Sequence, residues 1–140
     1  MPDIHIVSFN DNSAEDILWL RRQVFTLEQG VDEALDMDGK DDSAIHCVIY
    51  QHQRIIGTGR LLEDGHIGRV SVLPEHRHKG WGKAIMLALM DQAAARKDQQ
   101  VFLHAQITAQ GFYEKLGFSA FGKTFLDAGL LHIAMKKPLA

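Results

Sequence analysis

A single cysteine, Cys47, stands in 140 residues, so no intramolecular disulfide can staple this chain. The opening Met1-Pro2-Asp3-Ile4-His5 has no basic stretch followed by an apolar one, the pattern of a secretory leader. A reducing, cytoplasmic setting is therefore expected. Long hydrophobic runs are missing too: Ala84 to Met90 is the longest, far below the roughly 20 residues that cross a bilayer. Positive charge is not in excess, with 15 Lys and Arg against 18 Asp and Glu and a formal charge of −3. That excludes the basic footprint of a nucleic-acid partner or of binding to an anionic membrane. The eight histidines hold no metal-ligand spacing: His76 and His78 lie two apart with no carboxylate at zincin distance, so no metal is expected. What is present is 46% hydrophobic residues with no internal repeat, linker or low-complexity tract, which predicts one compact domain over residues 1–140.

The hydrophobic pattern alternates between two periods. Ile4 and Ile6 alternate with His5 and Val7 as a first strand, and Asn10-Asp11-Asn12 turns the chain. Ser13 with Asp16 resembles a capping box, and Ile17, Leu18, Leu20, Val24, Phe25 and Leu27 form a helical stripe to about Gln29. Gly30 to Ser43 is acid- and glycine-rich, a loop with room for one helical turn. Runs at Ile45 to Tyr50, Ile55 to Leu62 and His66 to Leu73 predict three antiparallel strands. A helix from Gly82 to about Arg96, a strand at Val101 to Ala105 and a short helix at Ala109 to Leu116 follow. Phe118 to Gly122 and Leu131 to Met135 close the chain as strands linked through Asp127-Ala128-Gly129. The order gives an α/β fold with a sheet of mixed direction.

Arg77-His78-Lys79-Gly80-Trp81-Gly82 lies between the third meander strand and the following helix. A helix N-terminus offers unpaired N–H groups and roughly half a positive charge, and glycines let an anion approach the backbone. A diphosphate site fits that position, with side-chain charge available from Arg77, Lys79 and Lys83. No stretch has the four-residue spacing of a Walker loop. A dinucleotide fingerprint would need a third glycine at Ile85, and its strand would not belong to an antiparallel meander. A helix start that is merely glycine-rich remains the plain alternative for the hexapeptide alone.

The segment resembles the Q/R-x-x-G-x-G/A motif of the GNAT acetyltransferases, in register with their fourth strand and following helix. Phe112-Tyr113-Glu114-Lys115-Leu116-Gly117-Phe118 is similar to the family's F/L-Y-x-x-x-G-F signature. The blocks Val24-Phe25 through Glu28-Gln29-Gly30, Asp38-Gly39-x-Asp41 and Phe125-Leu126-x-Ala128-Gly129 look like a small bacterial subgroup of mostly unassigned substrate. The resemblance covers nearly the whole chain. It implies a mostly antiparallel sheet of six or seven strands, flanked by helices and splayed at strands 4 and 5.

The implied activity is transfer of an acetyl group from acetyl-CoA to a primary amine of a small molecule, by direct attack in a ternary complex. Val70, Ser71 and Val72 would pair with the pantetheine arm, and the Val72 amide would steady the oxyanion. The diphosphate would rest on the amides of Arg77, His78, Lys79, Gly80, Trp81 and Gly82 with Lys83 close by. Gln106 stands where relatives place an asparagine on the pantetheine arm. Tyr113 would hydrogen-bond the departing thiolate. A thiol pKa near 8.5 against about 10 for tyrosine makes full proton transfer uphill by roughly 2 kcal/mol. An amine of pKa near 10.4 costs about 4.6 kcal/mol to deprotonate at pH 7, so a proton acceptor is needed. The acid that glucosamine-phosphate acetyltransferases carry would fall at Gly68 or Arg69, which are not acids. Glu28 is the first candidate for a base or substrate contact, with a surface or loop-anchoring role as the stronger alternative, and His104 and His132 come after it. Arg69 could bind an anionic substrate or pair with the acids of Asp36 to Asp42. Cys47 is expected to serve the core. A non-catalytic acyl-CoA-binding module, a protein N-acetyltransferase and homodimerisation through a closing strand stay open.

Overall fold

The computed structural model describes residues 2–139. Strands β1 (Asp3–Val7), β2 (Ile45–Gln51), β3 (Arg54–Leu61) and β4 (Ile67–Val72) form an antiparallel sheet in that order. Strands β5 (Gln100–Gln106), β6 (Ser119–Asp127) and β7 (Leu130–Pro138) form a second sheet, ordered β5-β7-β6. Two hairpins are closed by two-residue turns whose central residues both have positive φ, His52 (52°) and Gln53 (64°), then Ala128 (52°) and Gly129 (79°). Such turns match the right-handed twist of the strands they join.

Strand β3 is buried at every position after Arg54, which requires cover on both faces. Helices α1 (Asp11–Arg21) and α3 (Trp81–Ala95) both pack on it. Ile17 and Leu20 from α1, and Ile85, Met86 and Leu89 from α3, are fully enclosed with Cys47, Ile49, Ile56 and Leu61. No helix among the described residues is long and apolar enough to cross a membrane.

Several element boundaries differ from the sequence reading for identifiable reasons. The cap of α1 is Asn10, whose Oδ1 accepts from the Ser13 amide at 3.1 Å, so the expected turn is already the helix start. Asp16 does not close a capping box; it accepts a 2.6 Å hydrogen bond from the Tyr50 hydroxyl. The helical stripe continues past α1 as a π-helical segment, Arg22–Glu28. The acidic loop holds one short helix, α2 (Glu33–Asp36), and α4 (Gln110–Lys115) follows a 3-10 turn over Ile107–Ala109. Strands β6 and β7 are longer than expected because Gly122 sits at a register irregularity between Phe121 and Phe125 and does not end the strand.

The two sheets touch through one parallel bridge, His66 to Phe102, where the Phe102 amide donates to the Gly65 carbonyl at 3.1 Å. Gly65 holds φ of +91°, and a Cβ there would lie 2.8 Å from the Gln100 carbonyl oxygen. Only glycine fits this apex. Beyond it β4 and β5 separate. A bulge adds to the separation: Thr58 pairs with Ser71 and Arg60 with Gly68, so Gly59 alone opposes Arg69 and Val70. Arg69 carries the strain at φ of +53°.

Candidate active site

Separation of β4 from β5 leaves backbone groups of β4 without a strand partner. The Leu73 amide donates to Ile56 O on β3 at 2.9 Å. Alternation along an extended chain then turns the N–H and C=O of Val72 to the opposite side, into the gap. The Val72 carbonyl is taken there by Arg77 Nε at 2.9 Å. Its amide has no protein partner among the described residues.

The loop that follows is built to expose N–H groups. His78 and Gly80 both have positive φ, 63° and 88°, and alternating backbone hands of this kind make anion-binding concavities. Gly80 caps α3 with no side-chain hydrogen bond, and the Ala84 amide returns to Gly80 O at 3.0 Å. The amides in the first turn, Trp81 to Lys83, therefore face outward. Lys79 and Lys83 are exposed beside them.

The gap opens into a cavity of about 340 Å³ whose walls include Val70, Ser71 and Val72, His104 and Gln106, and Tyr113. The expected strand, tyrosine and amide residues are thus brought together. Gln106 Nε2 donates to Gln29 Oε1 at 2.9 Å, tying the end of β5 to the helix end opposite. Tyr113 packs edge-on against Phe112 and Phe118, with centroids 5.0 and 6.1 Å away. Burial pushes its hydroxyl pKa up to about 12. Burial likewise pushes the Cys47 thiol up to about 12, and Cys47 does not line the cavity. It has neither the thiolate nor the access of a nucleophile.

Glu28 is not placed as a free base. Its two carboxylate oxygens accept from Arg77 Nη1 and Nη2 at 2.7 and 2.6 Å, and that hydrogen bonding lowers its pKa despite partial burial. It does not line the cavity. The pair instead joins the π-helical segment to the start of the loop before α3.

Sequence reasoning reached only part of a buried ionic network on the opposite wall. Arg21 Nη1 donates to Asp41 at 2.8 Å and its Nε to Asp36 at 3.0 Å; Arg60 Nη1 donates to Asp38 at 2.9 Å and to Asp41 at 3.0 Å. Arg69 Nε lies 2.9 Å from Asp36 Oδ1, and its Nη2 3.3 Å from Asp38. Arg69 therefore pairs with the acidic loop, the alternative to binding a substrate anion. Burial alone would raise the carboxyls of Asp38 and Asp41, but hydrogen bonds from Arg60 and Arg21 and their charges hold both below 3.8. The Asp38-Gly39-x-Asp41 spacing and the option of Arg69 pairing with the acidic loop were visible in sequence; Arg21 and Arg60, far apart in the chain, were not.

A wall of aromatic rings was also missed. His66 stacks on Phe102 at 4.7 Å, His104 meets Phe125 edge-on at 5.2 Å, and Phe125 stacks on His132 at 5.9 Å. His66, His104 and His132 all line the cavity. His104 and His132 were already candidates in sequence, but not the pairing of Gln106 with His132 that sets β7 beside the end of β5.

A splayed pair of strands, a bulge and an uncapped helix start form one arrangement, and the family comparison decides what it is. The model of an acetyltransferase (GNAT) domain matches residues 9–139. The chain belongs to the GNAT acetyltransferases. Among its relatives is the uncharacterized N-acetyltransferase YjcF of Bacillus subtilis, 35% identical over 94% of this chain and 97% of that one. This GNAT protein also superimposes on the crystal structure of an acyl-CoA N-acyltransferase from Pseudomonas aeruginosa, with a TM-score of 0.87 and 26% identity over 98% of this chain and 99% of that one. Escherichia coli ElaA gives the same TM-score, identity and coverage. No group of three or more metal-ligating side chains occurs among the described residues of this GNAT chain.

Proposed function

We propose that this GNAT protein transfers an acetyl group from acetyl-CoA to the primary amine of a small molecule, by direct attack in a ternary complex. The observation that carries the reading is the Val72 amide, turned into the gap beside a cavity that Tyr113 lines. A pantetheine arm entering between β4 and β5 would pair with the backbone of Val70 to Val72 and bring its thioester there. The Arg77 amide, expected to join that site, donates to Pro74 O at 3.3 Å, so the diphosphate would rest on the amides from His78 to Lys83, with the Lys83 side chain adding charge. Gln106 would offer its amide to the arm in exchange for Gln29.

As the amine attacks, the carbonyl oxygen gains charge and the Val72 amide donates to it, a preorganised contact worth several kcal/mol in such sites. The thiolate then leaves. With Tyr113 at about 12 and a thiol near 8.5, complete proton transfer from tyrosine is uphill by about 5 kcal/mol. Tyr113 therefore acts as a hydrogen-bond donor to sulfur. Glu28 acts through Arg77: by holding the guanidinium on the Val72 carbonyl it fixes the strand end and the loop together.

The test is release of thiol from acetyl-CoA across a panel of primary amines, with CoA binding followed by calorimetry. Saturable release with at least one amine is expected. Tight CoA binding with no amine acetylated would replace the reading by a non-catalytic acyl-CoA-binding module.

A further inference from the structure

An aliphatic amine arrives protonated at pH 7, so the attack needs a proton acceptor beside the thioester. Glu28 is held by Arg77, and Asp36 is held by Arg21 and Arg69. Burial, and then the neighbouring His104 at 4.8 Å, lower His66 to about 4, which makes it a poor base at neutral pH. His104 makes no side-chain hydrogen bond among the described residues, so nothing fixes which of its nitrogens carries the proton.

His132 differs. Its Nδ1 lies 2.8 Å from the carbonyl oxygen of Leu130, and a carbonyl can only accept. The proton of the neutral ring is therefore on Nδ1, and Nε2 is left as a lone pair. That nitrogen has no partner among the described residues. The ring is only 9% exposed, is steadied by stacking on Phe125, and lines the cavity opposite Gln106 at the open end of β5. A cavity-lining histidine held in one tautomer by its backbone, with its other nitrogen unpartnered, is arranged as a base.

We propose that His132 Nε2 is the general base that receives the proton of the incoming amine, an assignment that rests on the acyl-transfer reading above. Nε2 takes one proton from R–NH3+, leaving the amine lone pair to form the C–N bond. The C–S bond breaks and its electrons leave on sulfur. The second nitrogen proton ends on that sulfur, giving the amide and CoA thiol, and His132 returns its proton to solvent. The other charged or titratable groups lining the cavity are Asp36 and Arg69, which pair with each other, Arg77, paired with Glu28, and Asp127, Tyr113, His66 and His104.

His132→Asn places an amide N–H where Nδ1 was and removes the base while keeping a donor for Leu130. With a primary amine that supports turnover, kcat/KM at pH 7 should fall at least about 100-fold, CoA affinity by calorimetry should stay within twofold, and the ascending limb of the wild-type pH profile should vanish. His104→Gln should keep that limb. In histidine-labelled wild type at pH 8, nitrogen NMR should show His132 protonated on Nδ1. Protonation on Nε2, an unchanged pH profile in His132→Asn, or loss of the limb in His104→Gln overturns the assignment while acyl transfer stands. Failure of the wild type to acetylate any primary amine overturns both.

Discussion

Asp41→Asn should strongly destabilise this small protein although it exchanges only one carboxylate oxygen for an amide nitrogen. Asp41 is 5% exposed and accepts from Arg21 and Arg60, themselves 1% and 3% exposed. Three arginines and three aspartates balance in the network; the amide leaves one buried positive charge uncompensated. Removing one partner of a buried pair costs roughly 3–5 kcal/mol, which for a chain of this length lowers Tm by roughly 10–20 °C. Urea unfolding followed by circular dichroism measures the difference, with the slope unchanged if only stability moves. Because the folded Asp41 and Asp38 carboxyls lie below their ordinary 3.8, their contribution is complete above about pH 5 and is lost as pH falls through the folded values. The gap between wild type and Asp41→Asn should therefore be full at pH 7 and shrink in acid. A loss under 1 kcal/mol at pH 7 would refute the view that this network holds the acidic loop against β3 and the β4 bulge.

Tyr113→Phe should lower kcat about 10- to 100-fold, the worth of a hydrogen bond to a charged group, while CoA affinity stays within twofold; unchanged kcat in steady-state assays would remove the hydroxyl from the reaction. Cys47→Ala should keep kcat within twofold, and native Cys47 should resist iodoacetamide at pH 8 because burial holds its thiol near 12; rapid alkylation of folded protein would contradict that. Glu28→Gln breaks the bidentate grip on Arg77 and should raise KM for acetyl-CoA several-fold with a smaller change in kcat, whereas a collapse of kcat with KM intact would restore Glu28 as the base.

The fold was legible where a single period or a turn residue decides. The meander, the α3 start at Gly80 and the β6–β7 turn at Ala128-Gly129 follow from local chemistry. The loop and strand edge proposed for the cofactor were legible as local structure for the same reason, since they are contiguous in sequence. The contacts around the rest of the cavity join residues far apart. Arg21 meets Asp36 and Asp41, Glu28 meets Arg77, and Gln29 meets Gln106, 77 residues away. A loop-anchoring role for Glu28 was open in sequence, but nothing in the local pattern shows that Arg77 is the partner that folds back onto it. The resemblance implies a bulge in β4, but its place at Arg69 was hidden, because it depends on Gly59 opposing two residues of β4.

The central claim is that the gap between β4 and β5 receives an acyl-CoA thioester, and a crystal structure of the CoA complex tests it most directly. The account predicts the diphosphate within hydrogen-bond distance of the amides from His78 to Lys83, the pantetheine arm along Val70 to Val72, and the sulfur between the Val72 amide and the Tyr113 hydroxyl. CoA bound elsewhere, or a β4–β5 gap closed by protein with the cofactor outside it, would contradict the account.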